Sequence, residues 1–419
     1  MRALLLVVDS LRADALGCYG SDLQTPTVDR LATSGARFET VISSAPWTLP
    51  SLAAMLTGVW SHRLGLMKWE QPWPREVPTL FDCFRAKGIE TASFVFDPDH
   101  LFRSCPEASV VGSSQDTDAM LAWFRERRDG DYFAFVHYWW THVPYLRRKL
   151  PLDTWNKVCL QILELLSAPD PAERLANREQ VKGLYALAVQ EFSEQWLPAL
   201  LEAAHADVVV LVADHGESWG ERLPGDEALR DVFDLHGNHL HDEVIRVPWI
   251  LHAPALVTPV TVKGLARSVD VMPTLVELLE LDHPALHATM QGQYRRAGRS
   301  LASALVSGQI PDDRSLAFAA RNVDFVDAST LPTDPGEVYV ELACRDLTTK
   351  VIADFHGDRA RQYDLVADPG ELHPAALSGP GPGSLAAALR TEMASAVVAP
   401  HDPGDFARMR QQLKSLGYL

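Results

Sequence analysis

Cysteine is scarce in this chain of 419 residues, and the few that occur are far apart. An odd number cannot pair completely within one chain, and no two of them have the CxxC spacing of a zinc knuckle. The scarcity predicts reduced thiols without a disulfide framework, which is typical of a cytoplasmic protein. The five positions are Cys18, Cys83, Cys105, Cys159 and Cys344.

Positive charge is also in deficit. Lys and Arg number 38 against 55 Asp and Glu, which gives a formal net charge of −17. Because a nucleic-acid backbone is bound by clustered Lys and Arg, we expect no nucleic-acid partner. An anionic substrate is not excluded, since a bound metal ion can supply positive charge locally.

The N-terminus lacks a long apolar run. Residues 3–8 are apolar, but Asp9 interrupts them after a stretch too short for a signal peptide or a membrane span. We therefore expect a cytoplasmic protein with no membrane partner.

Strand and helix patterns alternate over most of the chain. Residues 3–8 and 207–213 are continuous apolar runs, typical of strands buried on both faces of a parallel sheet. From about residue 314 the strand patterns alternate apolar and polar positions, which favours an antiparallel sheet with one wet face. The sequence thus predicts an α/β sandwich with a mostly parallel central sheet flanked by helices, covering residues 1–312. Residues 313–419 are predicted to form a small α+β subdomain with an antiparallel sheet.

Two of the predicted buried strands end in aspartate, at Asp9 and Asp214, and His215 follows the second. Ligands of open α/β sheets bind beyond the carboxyl ends of parallel strands, so these side chains could form a mixed oxygen and nitrogen metal site. A single Asp at a strand end more often forms a turn or caps a helix. Two such ends with an adjacent His leave the metal site and the turn interpretation about equally supported.

The stretch APWTLPSLAAMLTG, residues 45–58, predicts a short helix. Thr48 has the chemistry of an N-cap, Pro50 lies in the first turn and Gly58 ends the helix. An anion docks readily at such an N-terminus, and a hydroxyl that loses its proton there is stabilised. The alternative is that Thr48 only caps a core helix.

Several motifs together resemble the sulfatases of the alkaline-phosphatase superfamily. They are DSLRADALGCYG, TPTVDRLATSGARF, APWTLPSLAAMLTG with SHRLG, HYWWTHVPY, VADHGESWGE, HGNHLHDEVIRVPWI, DVMPTLVELL, YDLVADPGEL and LKSLGYL, in the order of the family's blocks. The resemblance covers essentially the whole chain. It implies the alkaline-phosphatase-like fold and a side-chain nucleophile that attacks a sulfate or phosphate ester.

The resemblance also implies roles for individual residues. Asp9, Asp214 and His215 match metal ligands, and Thr48 occupies the nucleophile position, where it also contacts the metal. His142 and His236 match side chains that bind the substrate oxyanion, protonate the leaving group or hold a second metal. His137 and His62 also lie in matching blocks, and we interpret them as structural.

The chain departs from the sulfatase pattern at two positions. Sulfatases convert a Cys or Ser in C/S-x-P-x-R to formylglycine, whereas this chain has Thr48 and, in place of the Arg, Leu52. Sulfatases also tend to have a second Asp where this chain has Ser10, which we retain as a substrate-binding candidate. Fewer carboxylates favour Zn²⁺ or Mn²⁺ as the single divalent ion, with Ca²⁺ and Mg²⁺ as alternatives and a second ion left open.

An unmodified Thr nucleophile resembles the phosphorus branches of the superfamily. The sequence therefore predicts a metal-dependent hydrolase of small phosphate or phosphonate esters, diesters favoured, that acts through a covalent threonyl intermediate. The alternatives are a sulfatase acting on sulfate esters, a phosphotransferase, and a pseudoenzyme that has lost the nucleophile chemistry. Five tryptophans either line an aromatic cleft or are buried core residues: Trp60, Trp69, Trp73, Trp139 and Trp140.

Overall fold

The computed structural model describes most of the chain. The described residues are 1–67, 73–96, 102, 105, 108–146, 152–166, 168, 170–221, 235–284, 286, 294, 295, 297–311, 316–322, 340–354, 360–377 and 384–394. Among them, no helix is both long enough and apolar enough to cross a membrane. All five cysteines are free thiols.

An eight-stranded, mostly parallel sheet forms the centre of the molecule, with the order β4-β3-β5-β1-β6-β7-β2-β8. β1 pairs in parallel with β5 on one side and β6 on the other, whereas β7 runs antiparallel to both of its neighbours. The strands are β1 (Arg2–Val8), β2 (Ala36–Ile42), β3 (Glu90–Val95), β4 (Val110–Ser113), β5 (Tyr132–Tyr138), β6 (Val208–Ala213), β7 (Arg246–His252) and β8 (Val260–Arg267).

Helices cover the sheet. In the part of the chain that is described they are α1 (Pro26–Ser34), α2 (Thr48–Thr57), α3 (Ser61–Leu64), α4 (Leu80–Ala86), α5 (Thr117–Glu126), α6 (Leu152–Leu166), α7 (Pro171–Glu191), α8 (Leu197–Ala204), α9 (Asp242–Ile245), α10 (Val271–Leu278), α11 (Ala302–Ser307) and α12 (Leu385–Met393). A π-helical turn, Phe192–Trp196, joins α7 to α8.

The sheet is built from the apolar runs that the sequence shows. β6 is fully buried, and in β1 every residue after Ala3 is at most 1% exposed. Strands covered on both faces need no polar alternation, which is why these runs are continuous. The predicted α/β fold class is confirmed.

A second sheet of five antiparallel strands follows in the chain, with the order β13-β12-β11-β10-β9. α12 packs on one face, where Leu389 and Met393 contact Leu342 and Val351 in one apolar cluster. The predicted wet face is wrong, because the other face also packs, against segments of the central domain. The strands are β9 (Ala317–Asn322), β10 (Val340–Arg345), β11 (Thr349–Asp354), β12 (Ala360–Asp364) and β13 (Ala375–Ala376).

Local details differ from the sequence interpretation at two other places. Thr48 is the first residue of α2, and Trp47, with an extended φ of −155°, takes the N-cap position predicted for Thr48. The sequence after Ser10 predicts a helical stretch from Leu11, but the structure has a pair of 3₁₀ turns there, Ala13–Ala15 and Gly17–Tyr19. The LKSLGYL motif lies outside the described residues, and the boundary at residue 312 stays a prediction.

Candidate active site

The carboxyl ends of β1 and β6 deliver an acidic cluster. Asp9 and Asp214 follow neighbouring parallel strands, and His215 is the next residue. One ligand atom from each of the three lies within 4.8 Å of the others, and all three side chains are fully buried. The structure therefore brings together the three residues that the sequence predicts as metal ligands.

Thr48 faces this cluster from the N-terminus of α2. Its Oγ1 lies 3.3 Å from Asp9 Oδ2 and 3.3 Å from His215 Nε2. The His215 Nδ1 is 2.8 Å from the Gly216 carbonyl, which can only accept, so Nδ1 carries the proton and Nε2 presents its lone pair. The Thr48 hydroxyl is thus within reach of two acceptors at the positive end of a helix.

Ser10 orients the two carboxylates. Its hydroxyl donates to Asp9 Oδ1 at 2.8 Å, and its backbone N–H donates to Asp214 Oδ1 at 3.3 Å. The residue has a φ of 56°, an uncommon conformation for Ser, and its carbonyl accepts from the Tyr185 hydroxyl at 2.9 Å. Since the hydroxyl proton of Ser10 is engaged by Asp9, the predicted substrate contact of this side chain stays a prediction.

His137 also reaches the cluster, although the sequence interpretation treated it as structural. It lies beside Val7 in the paired strands β5 and β1, and its Nε2 is 3.1 Å from Asp9 Oδ2 and 3.6 Å from Asp214 Oδ2. Burial lowers the pKa of His137, but the two carboxylates outweigh that effect and raise it to about 9. The sequence did contain a signal that His137 belongs to the site, because His137 lies near the end of an apolar strand just as Asp9 does.

Two further histidines, His142 and His236, are next to each other at the site. Their ring centroids are 4.8 Å apart, and the His236 ring is 4.4 Å from that of His215. The His142 and His236 rings are therefore neighbours in an edge-to-face arrangement. Their roles in binding and proton transfer stay predictions.

Glu217 holds His236, and the sequence interpretation missed it. Glu217 Oε1 is 2.9 Å from His236 Nδ1, while its Oε2 accepts from the Tyr145 hydroxyl at 3.1 Å. Glu217 is fully buried, so its carboxylate is available only to these neighbours. The signal in the sequence was a carboxylate two residues after His215, within DHGE.

The two histidines differ in their protonation. Burial lowers the pKa of His142 to about 3, so it is neutral at pH 7. Burial also disfavours the charged form of His236, but Glu217 outweighs it and raises the pKa to about 8. Burial alone would raise the pKa of Asp9, but the neighbouring histidines outweigh burial and lower it. A pair of groups whose pKa values are pushed apart is typical of an acid and base pair in an active site.

The tryptophans of the flanking segments are largely buried. Trp60, Trp73 and Trp140 are at most 6% exposed, which favours the core interpretation for them. Trp139 stacks on His142 with centroids 3.8 Å apart and on Phe96 at 3.8 Å. Both faces of its ring are therefore covered, and it supports His142. Trp69 lies outside the described residues.

The acidic cluster fits a divalent cation. Asp214 Oδ2 is buried and has no described hydrogen bond, and its nearest described partners, His137 Nε2 and His215 Nε2, are each 3.6 Å away, which leaves its negative charge incompletely compensated. The donor set of two carboxylates and one imidazole suits Zn²⁺ or Mn²⁺. Asp9, Asp214 and His215 would therefore act as the ligands of such an ion.

Comparison with known families identifies the architecture. The sulfatase family model matches residues 2–281, which is well over half of the chain. The chain belongs to the sulfatase family. The predicted relation to the sulfatases of the alkaline-phosphatase superfamily is thereby confirmed. Enzymes of this family use a divalent metal ion, which agrees with the buried cluster.

Individual relatives are distant. The chain is 23% identical over 330 residues to the ulvan-active sulfatase of Formosa agariphila, an alignment that covers 67% of this chain and 61% of that protein. The chain thus spans about three fifths of that relative's length. It is 35% identical to human steryl-sulfatase, but only over 114 residues, which are 24% of this chain and 19% of that protein.

Solved structures show the same fold. A 2-O glycosaminoglycan sulfatase matches with a TM-score of 0.65 at 17% identity, covering 98% of this chain and 91% of that chain. The phosphonate monoester hydrolase of Agrobacterium radiobacter matches with a TM-score of 0.65 at 18% identity, covering 98% and 95%. Both sulfur and phosphorus chemistry therefore occur on this fold.

Proposed function

We propose that this sulfatase-family hydrolase cleaves small phosphate or phosphonate esters, diesters in preference, through a covalent intermediate on Thr48. The observation that carries the proposal is the position of the Thr48 hydroxyl, 3.3 Å from both Asp9 Oδ2 and His215 Nε2 at the start of α2. A threonine cannot be converted to the formylglycine that sulfatases use, so its own oxygen is the available nucleophile. Similarity to phosphonate monoester hydrolases supports the phosphorus chemistry.

A single divalent ion held by Asp9, Asp214, His215 and the Thr48 hydroxyl would supply Lewis-acid chemistry, with Zn²⁺ or Mn²⁺ favoured. The protein itself supplies position. Thr48 Oγ1 passes its proton to a neighbouring acceptor and attacks phosphorus, so that the new O–P bond forms as the bond to the leaving oxygen breaks. The positive end of the α2 dipole, at Thr48, would stabilise the negative charge that develops on the transferred group.

His236 is placed to donate a proton to the leaving oxygen. Glu217 fixes its Nδ1, which leaves Nε2 as the ring atom available for proton transfer. His142, whose Nδ1 is 2.8 Å from the Val143 carbonyl, likewise presents Nε2. Water then attacks phosphorus and breaks its bond to the Thr48 oxygen, which takes back the proton held by the acceptor, while a proton of the water restores the one that His236 donated.

The preference for diesters follows from the charge at the site. Of the histidines beside Asp9, His137 is held protonated by its raised pKa of about 9, whereas His142, with a pKa of about 3, is neutral at pH 7. A diester has one negative charge where a monoester has up to two, so it needs less cationic compensation. Free thiols further support the cytoplasmic location that we include in the proposal.

The test is a metal analysis of the purified protein combined with an ester screen. Chelated protein would be reloaded with Mn²⁺ or Zn²⁺ and assayed on nitrophenyl phosphate mono- and diesters, a nitrophenyl phosphonate and nitrophenyl sulfate. We expect kcat/KM for the diester or phosphonate to exceed that for sulfate by at least about tenfold, a difference of about 1.4 kcal/mol in activation free energy.

Hydrolysis of sulfate esters is the second candidate, because the family model and several relatives are sulfatases. Faster turnover of nitrophenyl sulfate than of every phosphorus ester would establish it. No turnover by metal-loaded protein would instead identify a pseudoenzyme.

A further inference from the structure

Four charged side chains, three of them buried and Asp242 partly exposed, join the C-terminal sheet to the segment that carries His236. We call Asp242, Arg345, Lys350 and Glu371 the charged bridge. Lys350 Nζ lies 2.5 Å from Asp242 Oδ1 and 2.8 Å from Glu371 Oε1, and Arg345 pairs with Asp242 Oδ2. Glu371 Oε2 also accepts from the Asp242 backbone N–H at 2.6 Å. Lys350 and Glu371 are fully buried, so water does not compensate these charges.

The two cations are neighbours in the sheet. Arg345 on β10 is directly opposite Lys350 on β11. Like charges directly opposite each other destabilise a sheet unless anions compensate them. Asp242 provides that anion from outside the sheet. Arg345 and Lys350 therefore bind a segment of the central domain, and not an anion on a neighbouring strand of their own sheet.

Glu371 belongs to the motif YDLVADPGEL, to which the proposed chemistry assigns no role. Asp364 of this motif accepts from the backbone N–H groups of Val366 and Ala367, each at 3.0 Å, and so closes the turn. Glu371 has a φ of 53°, in the left-handed region that non-glycine residues seldom adopt. The turn directs the Glu371 carboxylate to Lys350 and to the Asp242 N–H.

Residues 235–242, the histidine loop, are anchored at three places. Ser218 N donates to the Leu235 carbonyl at 2.6 Å, and Gly237 N donates to the Pro46 carbonyl at 2.9 Å, two residues before Thr48. At the far end the charged bridge holds Asp242, and Lys350 Nζ donates to the Leu240 carbonyl at 3.2 Å. Leu240 also packs against Ala343, Ile352 and Tyr363 of the C-terminal sheet.

We propose that Lys350 and Glu371 are positioning residues for His236, which they keep in place through Asp242 and the histidine loop. The C-terminal sheet would thereby contribute to catalysis without touching the substrate. The inference rests on the proposed function at one point, which is the role of His236 in turnover. The geometry of the loop can be tested without any substrate.

The experiment compares Glu371→Ala and the milder Glu371→Gln with a matched control, Glu341→Ala. Glu341 is another buried carboxylate of this sheet, paired at 2.6 Å with Arg321 and at 3.3 Å with Arg361, both within the sheet. We expect Glu371→Ala to lower kcat by roughly tenfold to hundredfold, because small misplacement of a catalytic group is costly. KM and Mn²⁺ affinity should change less than about threefold, since no described hydrogen bond or ion pair joins Asp9, Asp214 or His215 to a residue of the bridge.

Two readouts distinguish positioning from general damage. In a His236→Ala background the Glu371→Ala change should have no further effect on kcat, because both act through one side chain. Hydrogen exchange followed by mass spectrometry should show faster exchange of the histidine loop in Glu371→Ala than in wild type or Glu341→Ala. Glu371→Gln should fall between Glu371→Ala and wild type in both measurements.

Additive effects of Glu371→Ala and His236→Ala would overturn the inference, as would unchanged exchange of the histidine loop in Glu371→Ala. An equal loss of kcat in Glu341→Ala would also overturn it, by showing that any damage to the sheet has this effect. If wild type cleaves no ester, the proposed function fails, and the exchange measurement alone decides the positioning inference.

Discussion

The two halves of the site are held in different ways. The acidic half, Asp9, Asp214 and His215, comes directly from the ends of two paired strands in the centre of the main sheet. The histidine half, His142 and His236, comes from loops whose positions depend on Trp139, Glu217 and the C-terminal sheet. The comparison teaches that the position of the acidic half depends on strand pairing, while that of the histidine half depends on contacts from distant parts of the chain.

Removal of the nucleophile should have the largest effect, and it tests the acidic half. We expect Thr48→Ala to lower kcat by at least about 10³-fold, because loss of a nucleophile removes the covalent pathway. Bound metal should remain, since Asp9, Asp214 and His215 are intact. Thr48→Ser should keep partial activity because it retains the oxygen. Steady-state kinetics and metal analysis of both variants check this.

The next largest effect is expected from removing the charge of one metal ligand, which should affect the acidic half of the site alone. Asp214→Asn should weaken Mn²⁺ binding by at least about 100-fold, because a neutral amide replaces a buried carboxylate beside the cation. Asp116→Asn is the control. Asp116 caps α5 by accepting from Ala119 N, and α5 follows β4, the edge strand of the main sheet, which is not a neighbour of β1 or β6. Isothermal calorimetry with Mn²⁺ measures both. Equal affinity in Asp214→Asn and wild type would remove Asp214 from the ligand set.

In the histidine half, Glu217→Gln should lower kcat by roughly tenfold to hundredfold while Mn²⁺ affinity changes little. The amide keeps the volume of Glu217 but loses the charge that orients His236 Nδ1. Kinetics and calorimetry on the same preparation show whether the two properties separate. A parallel loss of metal affinity and kcat would mean that the halves are not independent.

The smallest effect on activity is expected at Glu392, where a substitution should change only the stability of the protein. Glu392 on α12 is held by His62 and Arg63 of α3, at 2.8 and 2.6 Å. Burial would raise its pKa, but these two partners lower it from the usual 4.5 to about 2. A lowered pKa in the folded state stabilises the protein above pH 4.5, and this contribution disappears as the pH falls toward 2.

Glu392→Gln should therefore reduce the free energy of unfolding by up to about 3 kcal/mol at pH 7 and by much less at pH 3. Urea unfolding of both proteins across this pH range measures the difference. Activity at neutral pH should be unchanged, because this contact does not involve the histidine loop. A difference in stability that is constant with pH would show that the carboxylate charge is not responsible.

The strand pattern by itself predicts Asp9 and Asp214, whereas His142 and His236 are predicted only through the resemblance to the sulfatases. A continuous apolar run that ends in Asp identifies a strand end, and Asp9 and Asp214 meet because β1 and β6 are neighbours. Strand order is not encoded locally, so His137 on β5, beside Val7, was taken for a packing residue. Glu217 was missed because its partner, His236, is 19 positions away along the chain.

The C-terminal sheet shows the same limit. Its alternating pattern predicted one wet face, but Lys350 and Arg345 are polar residues of a covered face, where they meet Asp242. A polar residue in an alternating strand indicates water only when no buried partner compensates its charge. At Thr48 the prediction was wrong by one position, because the extended backbone of Trp47 takes the N-cap role.

The central claim is that Thr48 itself carries the transferred group. Metal-loaded wild type would be mixed with a slowly hydrolysed aryl phosphodiester, quenched in acid, digested and analysed by mass spectrometry. The account predicts a phosphoryl ester on the peptide that contains Thr48, formed at the rate at which the first equivalent of aryl alcohol is released. An unmodified Thr48 peptide throughout turnover, together with full diesterase activity of Thr48→Ala, would contradict it.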